Sequence, residues 1–247
     1  MIVFVKAPRP GAVKTRLAEA IGPAAAAAFY RAMGRDVLEA AIEAGYPLSI
    51  AYAPAEAEAE ITDWLGGAAG TFIPQRGRDI GERMAGALAE AYAAGATKAV
   101  LVGSDIPALT GTHIRSAING LNRFDAVIGP AADGGYYLIG FAADRFHREA
   151  FQGIPWSGPR VFERTLDRMA VLGLTVHRLP VLSDIDEPPD LHKLARAIRR
   201  REIAARHTAA FMAGRPCNPG GRLDDRGEDL IVIHKLFYPR ITQMDAD

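Results

Sequence analysis

The chain of 247 residues has a single cysteine, Cys217, so no intrachain disulfide can form and no cysteine-based zinc site can be assembled. An excess of either charge is missing too: 29 lysines and arginines are matched by 29 aspartates and glutamates. Net neutrality removes any non-specific pull toward nucleic acid or a membrane surface, so an anion site has to arise from local clustering. No apolar run approaches the roughly 18 residues of a membrane span. The alanine stretch Ala24 to Ala28 leads straight into Arg31, Arg35 and Asp36. The six histidines never fall at metal-binding helical spacing. Nor does the N-terminus carry the basic start, long apolar segment and cleavage site of a secretory signal. These absences lead to the expectation of a cytoplasmic protein with no nucleic-acid or membrane partner.

What is present is an alternation of strands and helices. Met1 to Val5 reads as a strand, Pro23 as a helix start, and Phe29, Met33, Val37 and Ala41 recur on one helical face. Further strands are expected at Pro47–Ala53, Thr71–Pro74, Ala99–Val102, Asp125–Ile128, Tyr136–Phe141 and Thr175–Leu179. Helices are expected at Ala55–Leu65, Asp79–Ala94 (Ile80, Met84, Ala87, Leu88 and Ala91 inward), Thr110–Leu121, Pro159–Leu172 and Pro188–Arg206. The pattern predicts a mostly parallel sheet with helices on both faces. Gly214 to Asp229 reads as a linker rich in Gly, Pro and charge, and Ile231 to Ile241 regains apolar character.

In open parallel sheets, ligands collect beyond the carboxyl ends of the strands. The loop after the first strand lies there and carries Lys6, Arg9, Lys14 and Arg16. Lys14-Thr15-Arg16 falls at the start of a short helix, where free backbone N–H groups also favour anions. A Walker loop is excluded because Val13 stands where glycine is required, and no G-x-G-x-x-G comes after the strand.

Two acidic motifs also lie just past strands. Asp105, in Gly103-Ser104-Asp105-Ile106-Pro107, is placed at the rim of the sheet, where it can bind Mg²⁺ or Mn²⁺ bridging phosphate oxygens. In Asp184-Ile185-Asp186 the alternation puts both carboxylates on one side of an extended segment, with Asp190 near the start of the final helix. The glycine pair of Asp133-Gly134-Gly135 permits either close approach to a ligand or a tight hairpin turn. Trp156 is either an acceptor-pocket aromatic or a packed side chain. The basic helix from Lys193 to Arg206 reads as a solvated face.

Together the segments Phe4–Leu17, Gly81-Glu82-Arg83-Met84, Gly103–Pro107, Asp133–Tyr137 and Asp184–Asp186 resemble the nucleotide-diphospho-sugar transferase (GT-A) superfamily. Within it, the chain is similar to the radical-SAM/selenodomain-associated transferase 1 family, also known as arsenosugar-type glycosyltransferases. Lys-Thr-Arg-Leu also resembles the phospholactate guanylyltransferases, and Asp-Ile-Asp several cytidylyl- and guanylyltransferases. The resemblance implies a three-layer α/β/α transferase domain with a mostly parallel mixed sheet over residues 1–206, and a partly flexible extension over 207–247 without a recognised counterpart. It implies a metal-dependent transferase with a nucleotide-activated donor and a small-molecule acceptor, most directly a glycosyltransferase. Nucleotidyl transfer with pyrophosphate release is the alternative, and a non-catalytic nucleotide-binding protein the second.

By the same resemblance, Asp105, Lys14 and Asp186 are the catalytic residues. Lys6, Pro10, Gly11, Lys14, Thr15, Arg16 and Ser104 bind nucleotide; Asp133, Gly134, Gly135, Tyr136 and Trp156 face the acceptor; and Asp105 with Asp186 or Asp184 holds Mg²⁺ or Mn²⁺. The acidic dyad of many GT-A enzymes is here Ser104-Asp105. A homodimer is left open.

Overall fold

Strand β1 (Ile2–Lys6) is four buried residues and then the exposed Lys6, and it lies inside the sheet rather than at its edge. In the computed structural model, which describes residues 1–66 and 70–214, it pairs in parallel with β2 (Ser49–Ala53) and with β4 (Lys98–Val102). Strand β3 (Thr71–Pro74) flanks β2, and β5 (Ala126–Pro130), β6 (Tyr136–Ala142) and β7 (Val176–Arg178) complete the order β3-β2-β1-β4-β6-β5-β7. Only β6 runs against the others, because a tight turn joins it to β5 and a parallel return would need a crossover. The sheet is mixed and mostly parallel, as the alternation predicts.

Period-two alternation divides the core into two layers. Val3, Val5, Val100 and Val102 face one cluster, which also takes α2 (Pro23–Ala44), α3 (Glu58–Leu65) and α5 (Gly111–Gly120). Ile2, Phe4, Ala99 and Leu101 face the other, covered by α4 (Ile80–Ala93) and α6 (Val161–Val171). Phe29, Met33, Val37 and Ala41 are all buried, so the four-residue recurrence did identify the inward face of α2. The short helix α1 (Thr15–Ile21) adds Leu17 and Ile21 to the first layer.

Two expectations need correction. Ile80, expected inward, is 37% exposed: it is the first residue of α4, just past the cap Asp79, and it lines a cleft. The helix expected over Pro188–Arg206 is two helices, α7 (Pro188–Arg199) and α8 (Arg206–Met212). Consecutive arginines at 199–201 offer no apolar face to bury, and Arg201 turns into the left-handed region at φ 59°.

Helix α8 docks on α2. Phe211 packs against Phe29 with ring centroids 5.7 Å apart, and Asp36 accepts the N–H groups of His207 and Thr208, each at 2.9 Å. The segment beyond residue 206 therefore begins inside the core. Cys217, nearly all of the expected linker, the apolar stretch Ile231–Ile241 and the expected flexibility of the extension lie outside the described residues. Among the described residues no helix is long and apolar enough to cross a membrane.

Candidate functional site

The carboxyl ends of β1, β3 and β4 open on a cleft of about 700 Å³, bounded on its far side by Asp186. The first loop enters it through a turn closed by the Ala12 N–H donating to the Arg9 carbonyl, with Gly11 at φ 79°. Val13, the residue that excludes a Walker loop, is 5% exposed and ties this loop to the core. Lys14 comes next as the N-cap of α1 in left-handed conformation (φ 49°, ψ 46°), and Thr15 and Arg16 begin the helix.

Lys14 is not a solvated phosphate hook in this state. Its side chain is 4% exposed, and Nζ donates to Asp105 Oδ2 at 2.9 Å and to Asp186 Oδ1. Burial alone would lower its pKa, but the two carboxylates more than reverse this and hold it above the ordinary lysine value. The other loop cations have weaker partners. Arg9 pairs with Glu60 at 2.8 Å and Arg16 with Glu187 at 3.6 Å, both largely solvated, while Lys6 is exposed on the cleft wall.

Asp105 lies just past β4, as expected. Burial works against its ionisation, yet Lys14 keeps the carboxyl below its usual value. Ile185 is buried in the core, and the carboxylates on either side of it remain accessible. Asp184 feels burial first, then the charges of Asp133, Asp186 and Asp105, and its carboxyl is raised to about 6. Helix capping is handled separately: Glu187 caps α7, and Asp190 accepts the N–H groups of Glu187 at 3.1 Å and Asp186 at 3.4 Å. Asp184 and Asp186 are thus not consumed as caps.

Two cleft residues escaped the sequence reading. The Tyr30 hydroxyl accepts the Lys6 N–H at 2.9 Å and shares a hydrogen bond with Ser104 Oγ, 2.6 Å away, in which either oxygen can donate. Burial pushes the Tyr30 phenol up to about 12 and keeps it protonated. In an alanine-rich helix it reads as one more core aromatic. Gln75, just past β3, donates its amide N–H groups to Val5 O (3.1 Å) and Ala51 O (2.8 Å), which fixes the amide with its oxygen as the remaining acceptor. A polar residue directly after a strand was the available signal.

The residues expected at the acceptor are arranged differently. Gly134 (φ 91°) makes the β5–β6 turn, and a Cβ there would lie 1.9 Å from Pro159 O; Asp133 Oδ1 accepts the Gly135 N–H at 2.8 Å. Tyr136 and Trp156 pack on each other and on α4: a Cβ on Gly81 would come 2.3 Å from the Trp156 ring. None of these five lines the cleft, although Ser157 beside Trp156 does. Lys6, Lys14, Thr15, Arg16, Ser104, Asp105 and Asp186 do line it; Pro10 and Gly11 shape its loop, and Asp184 joins it through charge.

A second acidic group lies elsewhere. Ligand atoms of Asp36, Glu39 and His207 fall within 4.8 Å of one another. Their oxygens already hold α8: Asp36 takes its two N–H groups, and Glu39 Oε1 accepts from Arg206 and pairs with His207 Nε2 at 2.8 Å.

Comparison with known proteins places this architecture. The family described as uncharacterized proteins conserved in bacteria (DUF2064) matches residues 37–158. A crystal structure from Desulfovibrio desulfuricans G20, provisionally named a nucleotide-diphospho-sugar transferase, is 39% identical with TM-score 0.80, covering 86% of this chain and 92% of that one. The 4-diphosphocytidyl-2C-methyl-D-erythritol synthase of Anaerococcus prevotii DSM 20548 is 11% identical with TM-score 0.54, over 81% and 99% of the two chains. Rv0371c from Mycobacterium tuberculosis H37Rv, in complex with manganese, is 16% identical with TM-score 0.51, over 78% and 96%. At these lower identities the likeness is one of fold. No curated protein matches the chain. The chain is a DUF2064-family protein, and it shares both family and fold with the Desulfovibrio desulfuricans protein.

Proposed function

We propose that this chain is a metal-dependent transferase that binds a nucleotide-activated donor in the cleft and passes its glycosyl group to a small-molecule acceptor. The observation that carries this reading is the buried Lys14 between Asp105 and Asp186, in the loop that a donor's diphosphate would meet. The name of the Desulfovibrio relative and the likeness to radical-SAM/selenodomain-associated transferases in the sequence segments support it.

The donor set suits Mg²⁺ or Mn²⁺. Asp105, Asp186 and Asp184 offer hard carboxylate oxygens, and burial together with the charges of Asp133, Asp186 and Asp105 raises the Asp184 carboxyl. Those three side chains would hold the ion, and a bound cation would neutralise charge developing on the leaving diphosphate. Lys14 and Arg16 supply positive charge to the phosphates, one as a compact ammonium and the other as a planar fork. Tyr30 holds Ser104 Oγ at the cleft wall through their hydrogen bond. The loops place these groups in advance, which is where electrostatic catalysis draws its strength.

Arg16 favours a second reading. Its contact with Glu187 is long, at 3.6 Å, and exposed, so it can leave for the third phosphate of a nucleoside triphosphate. Nucleotidyl transfer would then release pyrophosphate. Incubation with GTP, CTP and UDP-sugars separates the two: nucleoside diphosphate release with loss of the sugar supports glycosyl transfer, and pyrophosphate release without sugar loss overturns it. Binding of nucleotide with no turnover of any donor would leave the non-catalytic reading standing.

A further inference from the structure

The ammonium of Lys14 donates to one oxygen of Asp105 and one of Asp186, the two carboxylates best placed to hold a divalent cation. Its side chain is 4% exposed, against 37% and 42% for the aspartates. The carboxylates thus face the cleft, and the lysine sits sheltered beside them. Its backbone is held at φ 49°, a conformation that side chains other than glycine rarely adopt. A cation bound to the same carboxylates would lie close to this positive charge and be repelled by it. The lysine and a divalent cation therefore compete for one pair of acids.

We infer that Lys14 is a resident counter-ion that bars a free divalent cation from the Asp105–Asp186 pair, and that it gives up these carboxylates when the phosphates of a nucleotide take over its charge. The inference rests on the nucleotide-site reading and adds the order in which the site fills. Lys14 belongs to the loop that lines the cleft together with Thr15 and Arg16, so its ammonium can pass from carboxylate to phosphate within the cleft. The negative charge it leaves behind, increased by Asp184 and Asp133, then attracts the cation. Cation and nucleotide strengthen each other's binding, and the coupling is reciprocal. The protein alone would hold little metal.

Manganese affinity of the full chain tests this, with free Mn²⁺ monitored by electron paramagnetic resonance and no nucleotide present. Lys14→Met is expected to bind Mn²⁺ at least ten times more tightly than the natural protein. Adding Asp186→Asn to that variant should remove the gain, tying it to the vacated carboxylates. Equal or weaker Mn²⁺ binding by Lys14→Met overturns the inference. Melting curves cover a variant that is merely unstable: Mn²⁺ should raise the melting point of Lys14→Met, or of Lys14→Gln if the first does not fold, by more than that of the natural protein. Equal Mn²⁺ effects on both would again overturn it. Thermal shift of the natural protein with GTP, CTP and UDP keeps the two failures apart. No response to any nucleotide in the presence of Mg²⁺ sinks the nucleotide site itself, whereas a response without the Lys14 effect sinks only the exchange.

Discussion

Among the described residues, two groups of carboxylates invite comparison, with opposite outcomes. At Asp36 and Glu39 the carboxylates are engaged by the N–H groups of His207 and Thr208 and, at Glu39 Oε1, by Arg206 and the His207 ring. At Asp105, Asp184 and Asp186 three acids share one buried lysine, which donates to Asp105 and Asp186, so acid remains in excess. A satisfied cluster fastens one element to another, while one with charge left over is ready for a ligand. Proximity of acidic side chains does not separate the two cases, but hydrogen-bond accounting does.

The sharpest way to break this contrast is Asp105→Ala. It should lower the transfer rate by about a hundredfold or more, on the scale of lost electrostatic stabilisation at a transition state, and leave circular dichroism unchanged. A variant that turns over like the natural protein would put the site elsewhere. Asp36→Ala should do the reverse. Leaving the first N–H groups of α8 unpaired should cost about 2 kcal/mol, read as a melting point roughly 5 °C lower, with nucleotide affinity unchanged. Loss of nucleotide binding there would erase the distinction between the clusters.

A smaller effect is expected for Tyr30→Phe. It strips the Lys6 N–H of its acceptor and Ser104 of its hydrogen-bond partner, so about 1 kcal/mol of stability should go. The Michaelis constant for the nucleotide should rise a few-fold while kcat stays nearly constant, and a pure fall in kcat would contradict the positioning role. The smallest effect concerns pH. Burial, only partly offset by its hydrogen bonds, raises the Asp36 carboxyl. Its contribution is therefore fully present below the unfolded value of about 3.9 and is lost as pH rises through the folded one. Denaturation at pH 4 and pH 7 should show the natural protein gaining stability relative to Asp36→Asn at the lower pH. A gap that does not change with pH would refute this.

Much of the scaffold could be read from local pattern. Thr71–Pro74 is a strand with the expected bounds, and the apolar run Ala99–Val102 is buried from end to end. Asp105 was legible because a parallel sheet gathers the loops at the carboxyl ends of its strands along one edge. The partners of Lys14 were not, since Asp105 is 91 residues away and Asp186 is 172, and only the assembled sheet joins them. Tyr30 was hidden by periodicity, which marks its face of α2 as core without showing that the hydroxyl reaches the cleft. The break at residues 199–201 was missed because arginine is a good helix former, and propensity does not report the lack of a face to bury. The turn at Gly134 was ambiguous for another reason: its steric need is set by Pro159, which no local pattern links to it.

Helix α2 carries Tyr30 to the cleft near one end and Asp36 and Glu39 to α8 further along. A chain cut at residue 206 would strip Phe29 of its Phe211 cover and strand Asp36, a buried carboxylate, without its two N–H donors. The damage would sit on the same rod that sets the Ser104 hydroxyl. A shortened form that is to keep α2 fully packed has to run through Met212, so α8 belongs to the body of the domain.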